Sequence, residues 1–191
     1  MNIVLFGAPG AGKGAQAERI ASVYGMAHLS TGEMLRSAIS SGNELGASAK
    51  DVIDRGELIS DDIIVKIVDA RMDDDDCVKG FILDGFPRTV AQAKALDKLL
   101  VSKGLTLDHV IEIEVDEAAL FARIENRASE RRNTGTARSD DNAEILRRRL
   151  AVYHQNSAPV LPYYREKGLL RSVDGMASIE GVATQIDNLL G

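Results

Sequence analysis

Apolar residues recur along the chain in two alternating patterns. Short runs at 3–6, 27–29, 80–84, 109–115 and 169–173 read as strands. Between them, apolar positions return at helical spacing. Ala17, Ile20, Ala21 and Tyr24 fall at i, i+3, i+4 and i+7 within 13–24, and Ile63, Ile64, Ile67, Val68 and Met72 form one stripe after Ser60. Helices are also predicted over 31–40, 45–55, 89–103, 142–154 and 179–190, and after Asp116 for a stretch carrying Leu120, Phe121 and Ile124. A run such as Phe81-Ile82-Leu83 offers no polar face to water, which suits a parallel sheet covered on both sides. Strands and helices in alternation predict a doubly wound α/β fold, a parallel sheet flanked by helices.

The punctuation agrees with this division. Gly25 ends the first helix, and Ser30 can cap the next one, with Glu33 three residues on to complete a capping box. Ser41-Gly42-Asn43 breaks the pattern, and Ser60 reads as a further N-cap ahead of Asp61 and Asp62 in the dipole-favoured first turn. Pro159 and Pro162 are expected to interrupt the helical course that begins at 142, and the polar stretch 129–139, which holds Gly135, reads as an exposed loop. There is no internal repeat and no low-complexity linker.

Composition narrows the class. A chain of 191 residues suits one well-buried domain with a small insertion or two. The 45% hydrophobic and 27% charged content is that of a soluble globular protein, and no apolar run approaches the roughly 20 residues of a membrane span. Met1 leads directly into the first strand, so no signal peptide and a cytoplasmic location are expected. A net charge of −6 argues against a general nucleic-acid surface. Arginines crowd between Arg123 and Arg149. The acidic run Asp73 to Asp76 reads as a solvated loop, with a metal site as the alternative. Cys77, the single cysteine, allows neither an internal disulfide nor a cysteine zinc cluster, and is expected to be a small buried apolar residue. His28, His109 and His154 lack metal-ligand spacing and read as structural.

The candidate chemistry begins at the first strand. Gly7-Ala8-Pro9-Gly10-Ala11-Gly12-Lys13 has the spacing G-x-x-x-x-G-K between a strand and a helix start. In such a loop the backbone N–H groups curl around a phosphate, the helix N-terminus adds partial positive charge, and the lysine reaches the outer phosphates. The general pattern continues with Ser or Thr, whereas here Gly14 and Ala15 follow. Asp84 closes another strand, where it could hold Mg²⁺ through water or simply form the turn before Gly85. Phosphoryl transfer needs cations around the transferring group, and Lys13, Arg36, Arg88, Arg123, Arg127, Arg138 and Arg149 lie beside loops or helix ends. Each arginine taken singly also fits a solubilising surface role, a reading that suits several of Arg131, Arg132, Arg147 and Arg148.

Five segments together resemble the adenylate kinase family: GAPGAGKG at 7–14, LSTGEMLR at 29–36, GFILDGFPRT at 80–89 with Gln92, RSDDNAEILRRRL at 138–150 and YHQNSAPVLPYY at 153–164. They occur in order over almost the whole chain. The resemblance implies a P-loop kinase core over 1–191 with a small helical AMP-binding insertion at 30–59 and a short lid loop at 126–137. It implies the reaction ATP + AMP ⇌ 2 ADP with Mg²⁺. By the same resemblance Gly10, Ala11, Gly12, Lys13, Gly14 and Ala15 cradle the ATP phosphates. Arg123 stacks near the ATP adenine, Arg127 meets ATP phosphates, and the backbone at Ala177 meets that adenine. Thr31, Arg36, Glu57, Leu58, Ile59, Gly85, Phe86, Pro87, Arg88 and Gln92 form the AMP pocket, while Arg138 and Arg149 clamp phosphates of both nucleotides. Catalysis would then rest on Lys13, Arg88, Arg123, Arg138, Arg149 and Asp84.

Two departures stand out. Many members have Thr where this chain has Ala15, and the 126–137 segment is too short for the long lid that carries zinc in some members, so no structural zinc is expected. ATP, AMP and ADP are the expected partners of a monomer, with neither nucleic acid nor membrane. Alternatives are a short-lid UMP/CMP kinase, which resembles SAG at 30–32 and Asn at 89, or a nucleotide-binding module without turnover. Thr31, Thr89 and Gln92 favour the purine acceptor, since a glutamine amide can pair with a purine edge.

Overall fold

The computed structural model describes residues 1–41, 50, 52, 54, 55, 57–123 and 143–191. The predicted helix over 45–55 falls largely outside these residues. Ile124, Arg127, Arg138, the lid at 126–137 and the polar stretch 129–139 lie outside them altogether.

The described chain runs β1 (Asn2–Phe6), α1 (Lys13–Tyr24), β2 (Ala27–Ser30), α2 (Thr31–Ser41), α3 (Asp61–Met72), β3 (Phe81–Asp84), α4 (Val90–Ser102), β4 (His109–Glu114), a helical stretch at 117–123, α5 (Ala143–Val152), α6 (Val160–Glu166), β5 (Leu170–Asp174) and α7 (Ile179–Leu190). All strand pairs are parallel, in the order β2-β3-β1-β4-β5. With strands on both sides, β1 is buried along its full length.

Alternation along each strand divides the core in two. Val4 and Phe6 of β1, Leu29, Leu83 and Val110 face Leu35 of α2, Ile64, Val68 and Met72 of α3, Leu96 and Leu100 of α4 and Tyr164 of α6. Ile3 and Leu5, with Ile82, Ile111, Ile113 and Val173, face Ala17 and Ile20 of α1 and Val182 and Ile186 of α7. The sheet is thus doubly wound, as the alternating pattern predicts. A third, smaller cluster joins Leu120 to Leu146 and Leu150 of α5, beside Ala8 of the loop after β1.

Local signals place most boundaries. Gly25 adopts φ 67° and ends α1, Ser30 Oγ accepts from Glu33 N at 3.4 Å, and Asp116 Oδ1 accepts from Ala118 N at 2.9 Å. Three expectations need correcting. Ser60 occupies the N-cap position of α3, but its side chain makes no capping bond; Ile63 N and Ile64 N donate to its carbonyl instead. The acidic run is more than a solvated loop. Its carboxylates are exposed, but residues Asp75–Cys77 form a 3-10 turn over which Arg71 donates to Asp74 at 3.1 Å and to both oxygens of Asp76 at 2.6 Å. Cys77 is buried beneath it, and that burial pushes its thiol up to about 11.

The two prolines also leave the helical course largely intact. After α5 the backbone widens into a π-type turn at Tyr153–Ser157, closed by Ala158 N donating to the Tyr153 carbonyl at 2.8 Å. Pro159 then serves as the N-cap of α6 and Pro162 is its third residue. Both stand where a helix leaves its N–H groups unpaired, so a missing donor costs no intrahelical bond.

Candidate active site

In an open parallel sheet ligands gather beyond the carboxyl ends of the strands. Here the ends of β1, β2 and β3 open into one cleft of about 530 Å³. From the strand ends and the segments over them it takes Gly10, Gly12, Lys13, Gly14 and Ala15, then Thr31 and Arg36, then Glu57, Leu58 and Ile59. Asp84, Gly85, Phe86, Pro87, Arg88 and Gln92 follow, with Arg123 and Arg149 the last of the sequence-derived residues that line it. The carbonyl at the end of β5 enters through Arg123, whose Nη2 donates to Gly175 O at 2.7 Å. That bond ties the 117–123 helical stretch to the turn that precedes Ala177.

The loop after β1 is a phosphate-sized cradle for reasons visible in its backbone. Gly12 is the N-cap of α1 at φ 101°, a left-handed conformation, and no side chain caps the helix. The first-turn N–H groups of α1 therefore face the cleft with the positive end of the helix dipole behind them. Lys13 folds back over the loop, with Nζ donating to the carbonyls of Gly7 at 2.8 Å and Ala8 at 3.0 Å. Ala15 is exposed on the cleft side. Ala11 differs: it is 3% exposed, packs into the core, and its N–H donates to Ala8 O at 3.1 Å, so it does not line the cleft. Ala177 does not line it either.

Cations converge opposite this loop. Arg36 of α2 lies over Gly32, whose α-carbon leaves room for it: a Cβ there would stand 3.3 Å from Arg36 Nη1. Arg88 Nε donates to Gly85 O at 2.7 Å, and Ser157 Oγ holds the Arg88 carbonyl at 3.1 Å. Gly85, at φ 82°, admits both neighbours. A Cβ would fall 2.8 Å from Thr31 Oγ1 and 2.9 Å from Arg88 Nη2, so a larger residue would displace both. Arg88 is exposed on the cleft. Desolvation by the cleft walls, with repulsion from Arg149 and Arg36, lowers its pKa, and Asp84 opposes this. All three arginines line the cleft, where their charge favours an anion.

Asp84 lies between the two groups of cations. Burial works to raise its pKa, but contact with His28 and the charges of Lys13 and Arg88 outweigh burial and hold the carboxyl below the usual range. A Cβ on Gly14 would lie 3.7 Å from Asp84 Oδ2, which puts the carboxylate directly over the start of α1. An ionised carboxylate beside a phosphate cradle is the donor that Mg²⁺ takes through water, so the residues present fit that ion. Among the described residues, no group of three or more His, Cys, Asp and Glu is arranged to hold a metal by itself.

Some participants escape a reading of the sequence. His28, classed as structural, lines the cleft with Nε2 3.5 Å from Asp84 Oδ2, too long and poorly aligned for a hydrogen bond. One histidine in a four-residue strand has no spacing to announce it. Gln92 is 2% exposed and already engaged: Oε1 accepts from Arg88 N and Nε2 donates to Asp61 Oδ1, both at 2.7 Å. Glu57 is fastened by Arg55, which lowers its pKa, through bonds of 3.0 and 2.9 Å.

Comparison with known proteins agrees with this geometry. The family model described as adenylate kinase matches residues 5–169. The chain is 52% identical over 191 residues to an adenylate kinase of Parvibaculum lavamentivorans, covering all of this chain and 92% of the relative. It is 51% identical over 191 residues to one of Rhizobium meliloti, with full coverage of both chains. Against one of Caulobacter vibrioides it is 50% identical over 190 residues, covering all of this chain and 97% of the relative. With the match extending over the loop after β1 and every strand end that opens into the cleft, the chain belongs to the adenylate kinase family.

Proposed function

We propose that this enzyme moves a phosphoryl group from ATP to AMP, giving two ADP, with the donor on the β1–α1 loop and the acceptor against the cleft wall built from 30–36, 57–59 and 85–92. The observation that carries this reading is the convergence of Lys13, Arg36, Arg88, Arg149 and Asp84 around one cleft. In the donor half, Gly10, Gly12, Lys13, Gly14 and Ala15 hold the ATP phosphates, while Arg123, Arg127 and the backbone at Ala177 receive the rest of ATP. In the acceptor half, Thr31, Arg36, Glu57, Leu58, Ile59, Gly85, Phe86, Pro87, Arg88 and Gln92 hold AMP.

An oxygen of the AMP phosphate attacks the γ-phosphorus of ATP. The bond from that phosphorus to the β-γ bridging oxygen breaks, and the electron pair leaves on ADP. No general base is needed, because the attacking oxygen is already anionic. Lys13 and the arginines hold both phosphate chains in line and stabilise charge on the transferring group, with Arg138 and Arg149 clamping across the two nucleotides. Asp84 is the residue that would hold Mg²⁺ through water, and the ion would supply further neutralisation of phosphate charge. The 126–137 segment serves as a lid that keeps water, the competing acceptor, away from the transferring group. A cytoplasmic monomer fits these substrates, which are intracellular nucleotides.

Acceptor choice tests the reading. In a coupled assay of ADP formation from MgATP, AMP is expected to be phosphorylated far faster than UMP, CMP or GMP. A preference for UMP or CMP would overturn the acceptor, and tight binding of a bisubstrate dinucleotide without transfer would overturn the activity.

A further inference from the structure

Two hydrogen bonds join the start of α3 to the start of α4, a third closes them into a ring, and a fourth holds the far side of the Gln92 amide. Thr89 Oγ1, the N-cap of α4, accepts from Gln92 N at 3.1 Å. Its hydroxyl hydrogen goes to Asp61 Oδ2 at 3.2 Å. Asp61 Oδ1 accepts from Gln92 Nε2 at 2.7 Å, and Gln92 Oε1 accepts from Arg88 N at 2.7 Å. We infer that Asp61 is a positioning residue that locks the Gln92 amide in one orientation, and that this lock makes the acceptor site select a 6-aminopurine over a 6-oxopurine. The inference rests on the acceptor pocket proposed above.

The direction of every bond in the ring is fixed by chemistry. A carboxylate has no hydrogen to give, and a backbone N–H has no lone pair. A half-turn of the Gln92 amide would set its carbonyl against Asp61 and its NH₂ against Arg88 N–H. Two repulsive contacts would then replace two good bonds in a site that is 2% exposed.

The lock leaves the amide one N–H on Nε2 and one lone pair on Oε1 with which to meet a ligand, and Gln92 lines the cleft. A 6-aminopurine offers an amino donor beside a ring-nitrogen acceptor. A 6-oxopurine offers the reverse order, a carbonyl acceptor beside a ring N–H donor. An amide held in one orientation satisfies only one of these in a given pose, whereas an amide free to turn would satisfy both. Discrimination therefore depends on Asp61, which does not line the cleft and acts through Gln92. Thr89 is the second arm of the same lock.

Steady-state kinetics with ATP as donor and either AMP or IMP as acceptor decide the matter. Wild type is expected to prefer AMP strongly. In Asp61→Ala the ratio of kcat/KM for AMP to that for IMP should fall by about tenfold or more, mostly through a higher KM for AMP, because a charge-assisted bond is lost. Asp61→Asn, which still offers Gln92 an acceptor, should restore most of the ratio. If Asp61→Ala slows AMP and IMP by the same factor, the ring is merely structural and the inference fails. Should Asp61→Ala not fold, Thr89→Val removes one arm, and an unchanged ratio there would likewise overturn it. Equal use of AMP and IMP by wild type would defeat the lock while leaving the AMP reading intact; failure of wild type to use AMP at all would defeat that reading instead.

Discussion

Arg88 is the residue on which the site's electrostatics turn. Its guanidinium is held against Gly85 O while Arg149 and Arg36 repel it and Asp84 attracts it, an arrangement that an incoming anion would favour. Arg88→Ala is therefore expected to lower kcat/KM by at least about 100-fold, close to 2.7 kcal/mol of transition-state stabilisation, with the melting temperature nearly unchanged. Near-wild-type turnover would remove Arg88 from the reaction. Ala15 presents the smaller case. It is exposed on the cleft at the start of α1, where a hydroxyl would meet a bound phosphate. Ala15→Thr should tighten ATP by about 1 kcal/mol, one neutral hydrogen bond, read as a roughly fivefold lower Kd. No gain would mean that the backbone donors already saturate the phosphate. Both residues were legible from their motifs. His28 and Asp61 were not, because their partners, Asp84 and Gln92, lie 56 and 31 positions away and only the fold brings them near.

At the scale of elements, strand β4 carries an exception to its own pattern. Ile111 and Ile113 point into the α1/α7 side of the core, and the alternate positions, Val110 and Glu112, point to the other side. Glu112 is thus a carboxyl at a core position, 9% exposed, opposite Ser172 of β5 and bonded to its hydroxyl at 3.3 Å. Burial, with repulsion from Glu114, raises its pKa, and the Ser172 bond and Arg165 only partly oppose this. In the window between the ordinary carboxylate value and this raised one, the native state keeps a proton that the unfolded chain has lost. Stability therefore falls as pH rises through the window, and the cost persists above it. Glu112→Gln should raise the melting temperature at pH 7 to 8 in scanning calorimetry, with the difference shrinking towards pH about 4, where both forms are protonated. An equal difference at all pH values would show that packing, not charge, was responsible. Period and capping residues carried most elements, since the cause lies within a few neighbours: Gly25 after α1, Ser30 before α2 and Asp116 before the 117–123 stretch. The π-type turn at Tyr153–Ser157 and the helix restarted at Pro159 were not legible, because proline stops a pattern but fits a first turn equally well.

At the scale of the molecule, the sheet order β2-β3-β1-β4-β5 is what turns separate motifs into one cleft. Strand β3 inserts between β1 and β2, so Asp84 comes to lie over the β1–α1 loop with Thr31 on its other flank. No local pattern states that order; it follows from which faces can be covered at once, and the motifs supplied the groups without their arrangement. The arrangement has a thermodynamic consequence. If the loop after β1 and the wall of 30–36, 57–59 and 85–92 are two halves of one site, a dinucleotide with two adenosines joined by a phosphate chain engages both and shifts the native state by RT ln(1 + [L]/Kd). At 100 times its Kd that is about 2.7 kcal/mol, or roughly 5–10 °C in a chain of this length. The dinucleotide should raise the melting temperature well beyond ATP or AMP at the same concentration, and Arg88→Ala should remove most of the excess. EDTA without nucleotide should leave the melting temperature where it was, because Mg²⁺ would arrive with ATP instead of supporting the fold. A dinucleotide that stabilised no more than ATP would leave the donor half as a site by itself, and a lower melting temperature in EDTA would reveal a structural metal.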